Sequence, residues 1–297
     1  MGDMNLSLIG VDFTSAPSRR KAITVARGAL AGSRLALHRV EALTDFGAFE
    51  ALLREPGPWL GGFDFPFGLP RELVHAMDWP AEWPALIRHY AGLTRPEIRR
   101  RFVEFCAARP AGGKFAHRAC DVPAGASPSM KWINPPVAWM LHAGAPRLLA
   151  AGVHLPGLHD GDRSRVALEA YPGLLARELI GTRSYKSDDH RAQTPDRLIA
   201  RKDIVEALEQ GRTRLGLRLA LTHAQRDALA DDASGDRLDA VLCLMQAAWA
   251  SGQPDHGVPA SVDPLEGWIT SAVPTAVATG NPVRRARALK AGVMEDQ

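Results

Sequence analysis

The chain has 297 residues, of which 46% are hydrophobic and 23% charged, and its 36 basic and 33 acidic side chains give a formal net charge of +3. These are ordinary values for a globular protein, so they exclude a wholly disordered chain, a collagen and a coiled coil. No apolar run approaches the ~20 residues that a membrane-spanning helix needs. The first residues also lack the basic and apolar segments of a secretory signal.

The cysteines are few and widely spaced, at Cys106, Cys120 and Cys243. The sequence contains no CxxC pair and no HExxH motif, which argues against a structural zinc site. Free thiols in a reducing compartment are the simplest interpretation, and they predict a cytoplasmic protein. The isoelectric point near 8.9 permits a nucleic-acid partner without requiring one.

The first seventy residues predict three strands, a helix and a fourth strand. Apolar runs over 6–13, 23–29 and 34–40 are typical of strands, and the last two are joined by a short turn that suits a hairpin. Residues 46–55 carry apolar side chains at helical spacing. Residues 59–70 form a further apolar run that ends in Gly and Pro, which predicts a buried strand.

Residues 71–150 differ from the preceding part, because they hold nine of the 22 prolines and four of the seven tryptophans. We predict helices over 82–92 and 95–108, followed by a long ordered loop over 109–146. Long loops in compact domains are usually functional or disordered, and the aromatic content argues against disorder. This region therefore reads as a helical and loop insertion after the fourth strand.

The last part of the chain predicts a fifth strand and several helices. The expected elements are a strand over 165–172, helices over 195–209, 223–232 and 233–252, and a short strand over 264–269. We expect residues 1–273 to form one domain and residues 274–297, which are small, polar and basic, to form a loosely held tail.

Acidic residues lie at the ends of the apolar runs. Asp12 ends the first predicted strand, Asp64 lies in the fourth and Glu169 in the fifth, while Asp236 and Asp239 share one face at the start of the last long helix. Two ionised carboxylates held 4 Å apart repel each other by roughly 4 kcal/mol, and a divalent cation removes that cost. Acids on separate elements therefore predict a site for Mg²⁺ or Mn²⁺.

Each of these acids also has a structural alternative. Asp12 and Asp64 are placed to cap turns, and Asp236 follows a glycine as helix caps often do. Glu169 has arginines nearby in the sequence with which to form an ion pair. Only Asp239, which precedes a wholly apolar helix, is hard to explain in this way.

Basic and aromatic residues suggest contacts to a polyanion. Most cations over 183–218 are balanced by acids, which is typical of a solvated helix surface. The combination of cations and aromatic rings suits phosphates and stacked bases. The candidates for substrate binding are Lys186, Lys114, His117, Arg118, Lys131 and Trp132.

Six segments together resemble a bacterial family of predicted RNase H-like nucleases, long classed as a domain of unknown function. They are GVDFTSAP, GFDFPFGLP, ALEAYP, SYKSDD, GDRLDAVLCLMQAAWA and PLEGWI. The resemblance runs from about residue 7 to residue 270. It implies an α/β fold of RNase H-like type, with a mixed five-stranded sheet and helices on both faces.

The resemblance also implies roles for the acids. Asp12 matches the first-strand aspartate and Asp64 the fourth-strand acid. Asp236 and Asp239 resemble the acidic pair on the last helix of Holliday-junction resolvases of the RuvC type, and Glu169 belongs to the pattern of this family itself. The function expected is phosphodiester hydrolysis by a nuclease, with these five acids as catalytic residues and the four aspartates holding two metal ions.

Two other functions remain open from the sequence. A phosphotransferase of the actin-like ATPase or sugar-kinase type shares the RNase H-like core, but it needs a Gly-rich phosphate loop and usually a duplicated domain, and neither is recognisable here. A non-catalytic protein that binds nucleic acid or nucleotides on the same fold is the other alternative. The substrate is likewise open between DNA, RNA, a junction and a small nucleotide.

Overall fold

A computed structural model describes residues 6–110 and 112–274. All of the predicted loose tail except Pro274 lies outside these residues. The strands are β1 (Ser7–Asp12), β2 (Ile23–Ala31), β3 (Arg34–Leu43), β4 (Trp59–Phe63), β5 (Val153–His154), β6 (Asp162–Glu169) and β7 (Arg218–Ala220). The helices are α1 (Phe46–Leu53), α2 (Arg71–Ala76), α3 (Trp83–Gly92), α4 (Arg95–Ala107), α5 (Asp121–Ala124), α6 (Val137–Ala151), α7 (Pro172–Ile180), α8 (Pro195–Gln210), α9 (His223–Asp231) and α10 (Asp236–Ala250).

The strands form one mixed sheet in the order β5-β6-β4-β1-β2-β3-β7. The β1–β2 and β2–β3 pairs are antiparallel, and the other neighbours are parallel. The α/β class is confirmed, but the expected five strands are corrected to seven. The two additional strands, β5 and β7, lie at the edges and have only two and three residues.

Helices cover both faces of the sheet because side chains alternate along each strand. On β1, Ile9 and Val11 belong to one apolar cluster, which also takes residues of α1, α3, α4 and α6. Leu8, which points to the other side, belongs to a second cluster with residues of α7, α8 and α10. This alternation buries both faces, and it leaves the ends of the strands as the accessible edge.

Two glycines allow α10 to lie directly against the backbone of the sheet. A Cβ atom on Gly10 of β1 would lie 2.1 Å from the Ala240 carbonyl oxygen and 2.2 Å from the Leu244 nitrogen. A Cβ atom on Gly62 of β4 would lie 2.6 Å from the Cys243 carbonyl oxygen. Since no side chain separates them, the helix is held at a fixed distance from both strands.

Several predicted boundaries change. The fourth strand ends at Phe63 instead of residue 70, because the chain turns at once, with the Phe65 N–H donating to the Phe63 carbonyl at 2.9 Å. The fifth predicted strand spans 162–169 and ends before Pro172 begins α7. The last predicted strand is reduced to a single bridge between Glu169 and Ile269.

The insertion after β4 is more helical than predicted. Besides the two expected helices it contains α2 and the four-residue α5, and its last part is the fifteen-residue α6. The predicted loop over 109–146 therefore ends at Pro136. Among residues 6–110 and 112–274, no helix is both long and apolar enough to cross a membrane.

Candidate metal centre

Three of the predicted acids meet at one edge of the sheet, where the central strands β1 and β4 end. Asp12 is the last residue of β1, Asp64 directly follows β4, and Asp239 lies in the first turn of α10. Since β1 and β4 are parallel neighbours, their carboxyl ends lie side by side, and the Asp64 N–H donates to the Val11 carbonyl at 2.9 Å. One carboxylate oxygen from each acid lies within 4.8 Å of the other two. We call Asp12, Asp64 and Asp239 the acid trio.

Asp239 is the most buried of the trio, with no exposed surface. The Tyr185 hydroxyl donates to its Oδ1 at 2.5 Å, and the Lys186 ammonium donates to its Oδ2. Gly235, the residue before α10, has a positive φ of 77° and lies against the Lys186 side chain, where a Cβ would come within 2.7 Å. A glycine is therefore needed here for the lysine to reach the helix.

Tyr185 is a contact that the sequence analysis missed. It precedes Lys186 in the segment SYKSDD, and it is 8% exposed. The signal available was a tyrosine beside the one lysine already placed in a motif. A buried tyrosine usually finds a partner for its hydroxyl group, so an acid was the natural partner to look for.

Asp12 and Asp64 have no comparable partners. Asp12 is 8% exposed, and across residues 6–110 and 112–274 no group donates a hydrogen bond to its carboxylate or to that of Asp64. Both side chains line a cavity of about 630 Å³ at this edge of the sheet. An ionised carboxylate that is buried without a donor is unfavourable, so both positions favour a cation or a proton.

The pKa values follow from this arrangement. Burial raises the pKa of Asp12 well above its usual value, and the charges of Asp239 and Asp64 raise it further. Burial raises the pKa of Asp64 to about 7, although the Lys186 charge acts against the rise. The pKa of Asp239 is also raised by burial, against the effects of Lys186 and Tyr185. The trio thus holds less negative charge near neutral pH than three ordinary aspartates.

Lys186 is the cation that approaches the trio. Burial alone would lower its pKa, but the charges of Asp239, Asp12 and Asp64 outweigh burial and raise it. The ammonium therefore stays protonated and offsets part of the acidic charge. Of the residues predicted to bind substrate, Lys186 is the one that contacts an acid of the trio.

Asp236 lies in the same cavity but outside the trio. Its Oδ1 accepts a hydrogen bond of 2.8 Å from the Lys21 ammonium, which also donates to Asp188 Oδ1 at 2.8 Å. Both acids of α10 are therefore paired with a lysine, but Asp239, three residues after Asp236, is the one whose carboxylate lies within 4.8 Å of Asp12 and Asp64. The predicted ligand set of four aspartates is thus reduced to three in this geometry.

Glu169, predicted to be catalytic, lines the same cavity but is paired with an arginine. It is 4% exposed, and the Arg118 guanidinium donates to its two oxygens at 2.6 and 2.7 Å, while the Phe67 N–H donates at 2.9 Å. Arg118 is 2% exposed and also donates to Asp121 at 2.8 and 3.0 Å. Arg118, predicted to bind substrate, is therefore fully used in holding acids of the protein itself.

The remaining predicted substrate contacts lie away from the cavity. Trp132 is 6% exposed and packs in the apolar core, with the Lys114 ammonium 6.0 Å from its ring centre. Lys131 is half-buried and His117 is exposed, and neither lines the cavity. The structure does not bring these four side chains to the acid trio.

The arrangement has the chemistry of a hard-cation site. Mg²⁺ and Mn²⁺ prefer oxygen ligands, and three carboxylates from three separate segments supply them within one small volume. Comparison of the chain with protein-family models, with curated proteins and with solved structures finds no match.

Proposed function

We propose that this protein is a metal-dependent phosphodiesterase or nuclease of RNase H-like type, with Mg²⁺ or Mn²⁺ held by Asp12, Asp64 and Asp239. The observation that carries the proposal is the convergence of these three acids within 4.8 Å, beside a cavity that Asp12 and Asp64 line, with Asp12 and Asp64 lacking a donor among the described residues. Structural acids are paired, as Glu169 is; unpaired ones need another source of positive charge.

The trio fits one hard cation. Its carboxylate oxygens are the ligand type that such ions prefer, and the cavity leaves room for the waters that Mg²⁺ retains. When bound, a divalent ion neutralises the acids and acts as a Lewis acid towards a phosphodiester. A second ion, as predicted from the sequence, requires Asp236 to exchange Lys21 for metal.

The reaction proposed is hydrolysis. The oxygen of a water molecule forms a bond to phosphorus, the bond from phosphorus to the leaving oxygen breaks, and that oxygen keeps the electron pair and takes up a proton. The products are a phosphate monoester and an alcohol. Lys21 and Lys186 line the cavity and attract the negatively charged phosphate.

The fold supports the same proposal. A mixed sheet with helices on both faces, and acids from the first strand, the fourth strand and the last helix, is the arrangement that the resemblance implies. The three cysteines are free thiols and buried, as expected in a reducing cytoplasm, where we place the protein.

Asp12→Asn tests the proposal directly, because no group in residues 6–110 and 112–274 donates a hydrogen bond to the Asp12 carboxylate. We expect Mn²⁺-dependent hydrolysis of bis(p-nitrophenyl) phosphate to fall by at least about 100-fold, and Mn²⁺ binding measured by calorimetry to weaken in parallel. Asp196→Asn, at an exposed acid in the first turn of α8, is the matched control and keeps full activity. Full activity and metal affinity in Asp12→Asn would refute the proposed site.

A further inference from the structure

The cavity beside the acid trio has two kinds of lining. One part consists of the acids with Lys21 and Lys186. Another part comes from the insertion: Ala126 and Ser127 after α5, Pro135 and Pro136 before α6, and Val137 and Met140 on α6. The insertion therefore contributes a largely apolar wall to a site whose reactive groups are all polar.

The depth of the acids restricts what can reach them. Asp239 has no exposed surface and Asp12, which lines the cavity, is 8% exposed, so these two carboxylates are recessed from the protein surface. A reacting phosphate has to enter the cavity to meet them. In a double helix both strands would have to approach together, so the width of the duplex limits how far one of its phosphates can enter a recessed site. An unpaired strand or a free nucleotide has no such restriction.

The size of the cavity points to the same conclusion. Its volume of about 630 Å³ lies within the range of pockets that enclose small ligands, which is about 300–1,000 Å³. The cavity therefore suits a ligand that enters one unit at a time.

The lining also indicates the chemistry of that unit. Lys21 and Lys186 are ammonium groups of the kind that bind phosphate as point charges. The half-buried Val137, Met140 and Tyr171 offer apolar and aromatic surface on which a flat ring can pack. A phosphate linked through a sugar to a flat ring that stacks by its faces is the chemistry of a nucleotide.

We infer that the cavity takes one unpaired nucleotide unit, with its phosphodiester at the acid trio and its base on the wall formed by the insertion, and that it excludes double-stranded nucleic acid. This inference rests on the proposed function and adds the substrate class. The bond cleaved is the phosphorus–oxygen bond, with water supplying the oxygen that replaces the leaving group. The unit comes either from a single strand or from a free nucleotide ester, since both present the same chemistry.

The test compares four substrates with the wild-type protein in Mn²⁺. They are the p-nitrophenyl ester of thymidine 5′-phosphate, methyl p-nitrophenyl phosphate, a short single-stranded oligonucleotide and the same oligonucleotide in a blunt duplex. We expect kcat/KM for the thymidine ester to exceed that for the methyl ester by at least about tenfold, which is the effect of packing one base. Cleavage of the single strand, where it occurs, exceeds cleavage of the duplex by at least the same factor.

The outcomes separate this inference from the proposed function. No hydrolysis of any substrate refutes the proposed function itself. Equal rates on single strand and duplex, or equal kcat/KM for the thymidine and methyl esters, overturn the substrate class while the phosphodiesterase stands. Hydrolysis of the thymidine ester without the single strand identifies a free nucleotide ester as the source, and hydrolysis of both identifies a strand.

A variant of the wall completes the test. Met140→Trp places a larger side chain in the cavity, and we expect it to raise KM for the thymidine ester by at least about tenfold while Mn²⁺ affinity measured by calorimetry is kept. Ala150→Trp adds the same ring at an exposed position of the same helix, outside the cavity lining, and leaves KM unchanged. An unchanged KM in a folded Met140→Trp protein would contradict the placement of the base.

Discussion

Asp12 at the end of β1 and Glu169 at the end of β6 are buried acids in one sheet, separated only by β4, and both line the same cavity. Glu169 accepts two hydrogen bonds from Arg118 and one from the Phe67 N–H, whereas Asp12 accepts none from the described residues. Burial alone therefore does not decide how an acid is used. These two acids differ in whether a hydrogen-bond donor from the described residues meets the carboxylate.

The two regions also differ in how their charges are balanced. Around Glu169, one guanidinium links two carboxylates that come from distant parts of the chain, Glu169 and Asp121. In the acid trio, one ammonium faces three carboxylates. The first region is satisfied by the protein, and the second is left with excess negative charge. Three experiments test this contrast.

The largest expected effect on stability comes from removing Arg118, the cation of the region around Glu169 and Asp121, which we call the paired region. Arg118→Ala leaves Glu169 and Asp121 buried without their shared partner, and we expect the free energy of unfolding to fall by about 3–5 kcal/mol. Urea unfolding measures this loss. Arg118→Lys keeps the charge but loses the bidentate geometry of the guanidinium. We expect its free energy of unfolding to lie between those of the wild type and Arg118→Ala.

The matched control is Arg100→Ala, which removes an exposed ion pair with Glu104 on α4. Its expected cost is below about 0.5 kcal/mol. A cost for Arg118→Ala that does not exceed the cost for Arg100→Ala would show that the paired region is not held by its ion pairs.

The second largest expected effect is the pH dependence of stability that the acid trio causes. The folded-state pKa of Asp64 is raised from 3.8 to about 7, so its folded form binds a proton more tightly than its unfolded form does. The contribution of this group to stability is therefore complete below pH 4 and is lost as the pH rises through 7. The displacement corresponds to at most about 4 kcal/mol.

The contribution of Asp64 is isolated by measuring the unfolding of the metal-free wild type and of Asp64→Asn at pH 5 and pH 8. We expect the wild type to lose more stability than the variant between the two pH values. Saturating Mg²⁺ should remove the difference, since the ion binds the ionised acid. Parallel pH profiles for the two proteins without metal would contradict the raised pKa.

The smallest expected changes in stability come from exchanging Asp12 and Glu169 for their amides, and the two changes have opposite signs. Asp12→Asn removes repulsion within the trio, so we expect the metal-free protein at pH 8 to gain on the order of 1 kcal/mol. Glu169→Gln leaves Arg118 short of an anionic partner and should cost about 1–3 kcal/mol. Thermal unfolding of the two variants side by side provides the measurement. Losses of the same size in both would remove the distinction between the two regions.

The sequence predicts the acid trio as part of a set of five acids, because each member lies in or at the end of an apolar run or at the start of the apolar last helix. It does not predict the fate of Glu169 and Asp236. Their partners, Arg118 and Lys21, lie 51 and 215 residues away along the chain, and only the fold brings them together. Ion pairs of such long range leave no pattern of spacing to recognise.

The strands and helices show the same division between what the sequence predicts and what it does not. The five longer strands and most helices carry clear apolar periodicity and are predicted within a few residues, except for the end of the fourth strand. The two edge strands are too short to show a period. Helix α6 is missed because two prolines precede it and Pro146 lies inside it, although prolines just before a helix are typical of its start.

The contact of Gly10 and Gly62 with α10 has a consequence for how this centre tolerates change. Main-chain atoms of β1, β4 and the helix touch without intervening side chains. The spacing of Asp12, Asp64 and Asp239 thus depends on contact between the main chains that carry them. This centre therefore tolerates replacement of either glycine poorly, because an added side chain would push α10 away from the two strands.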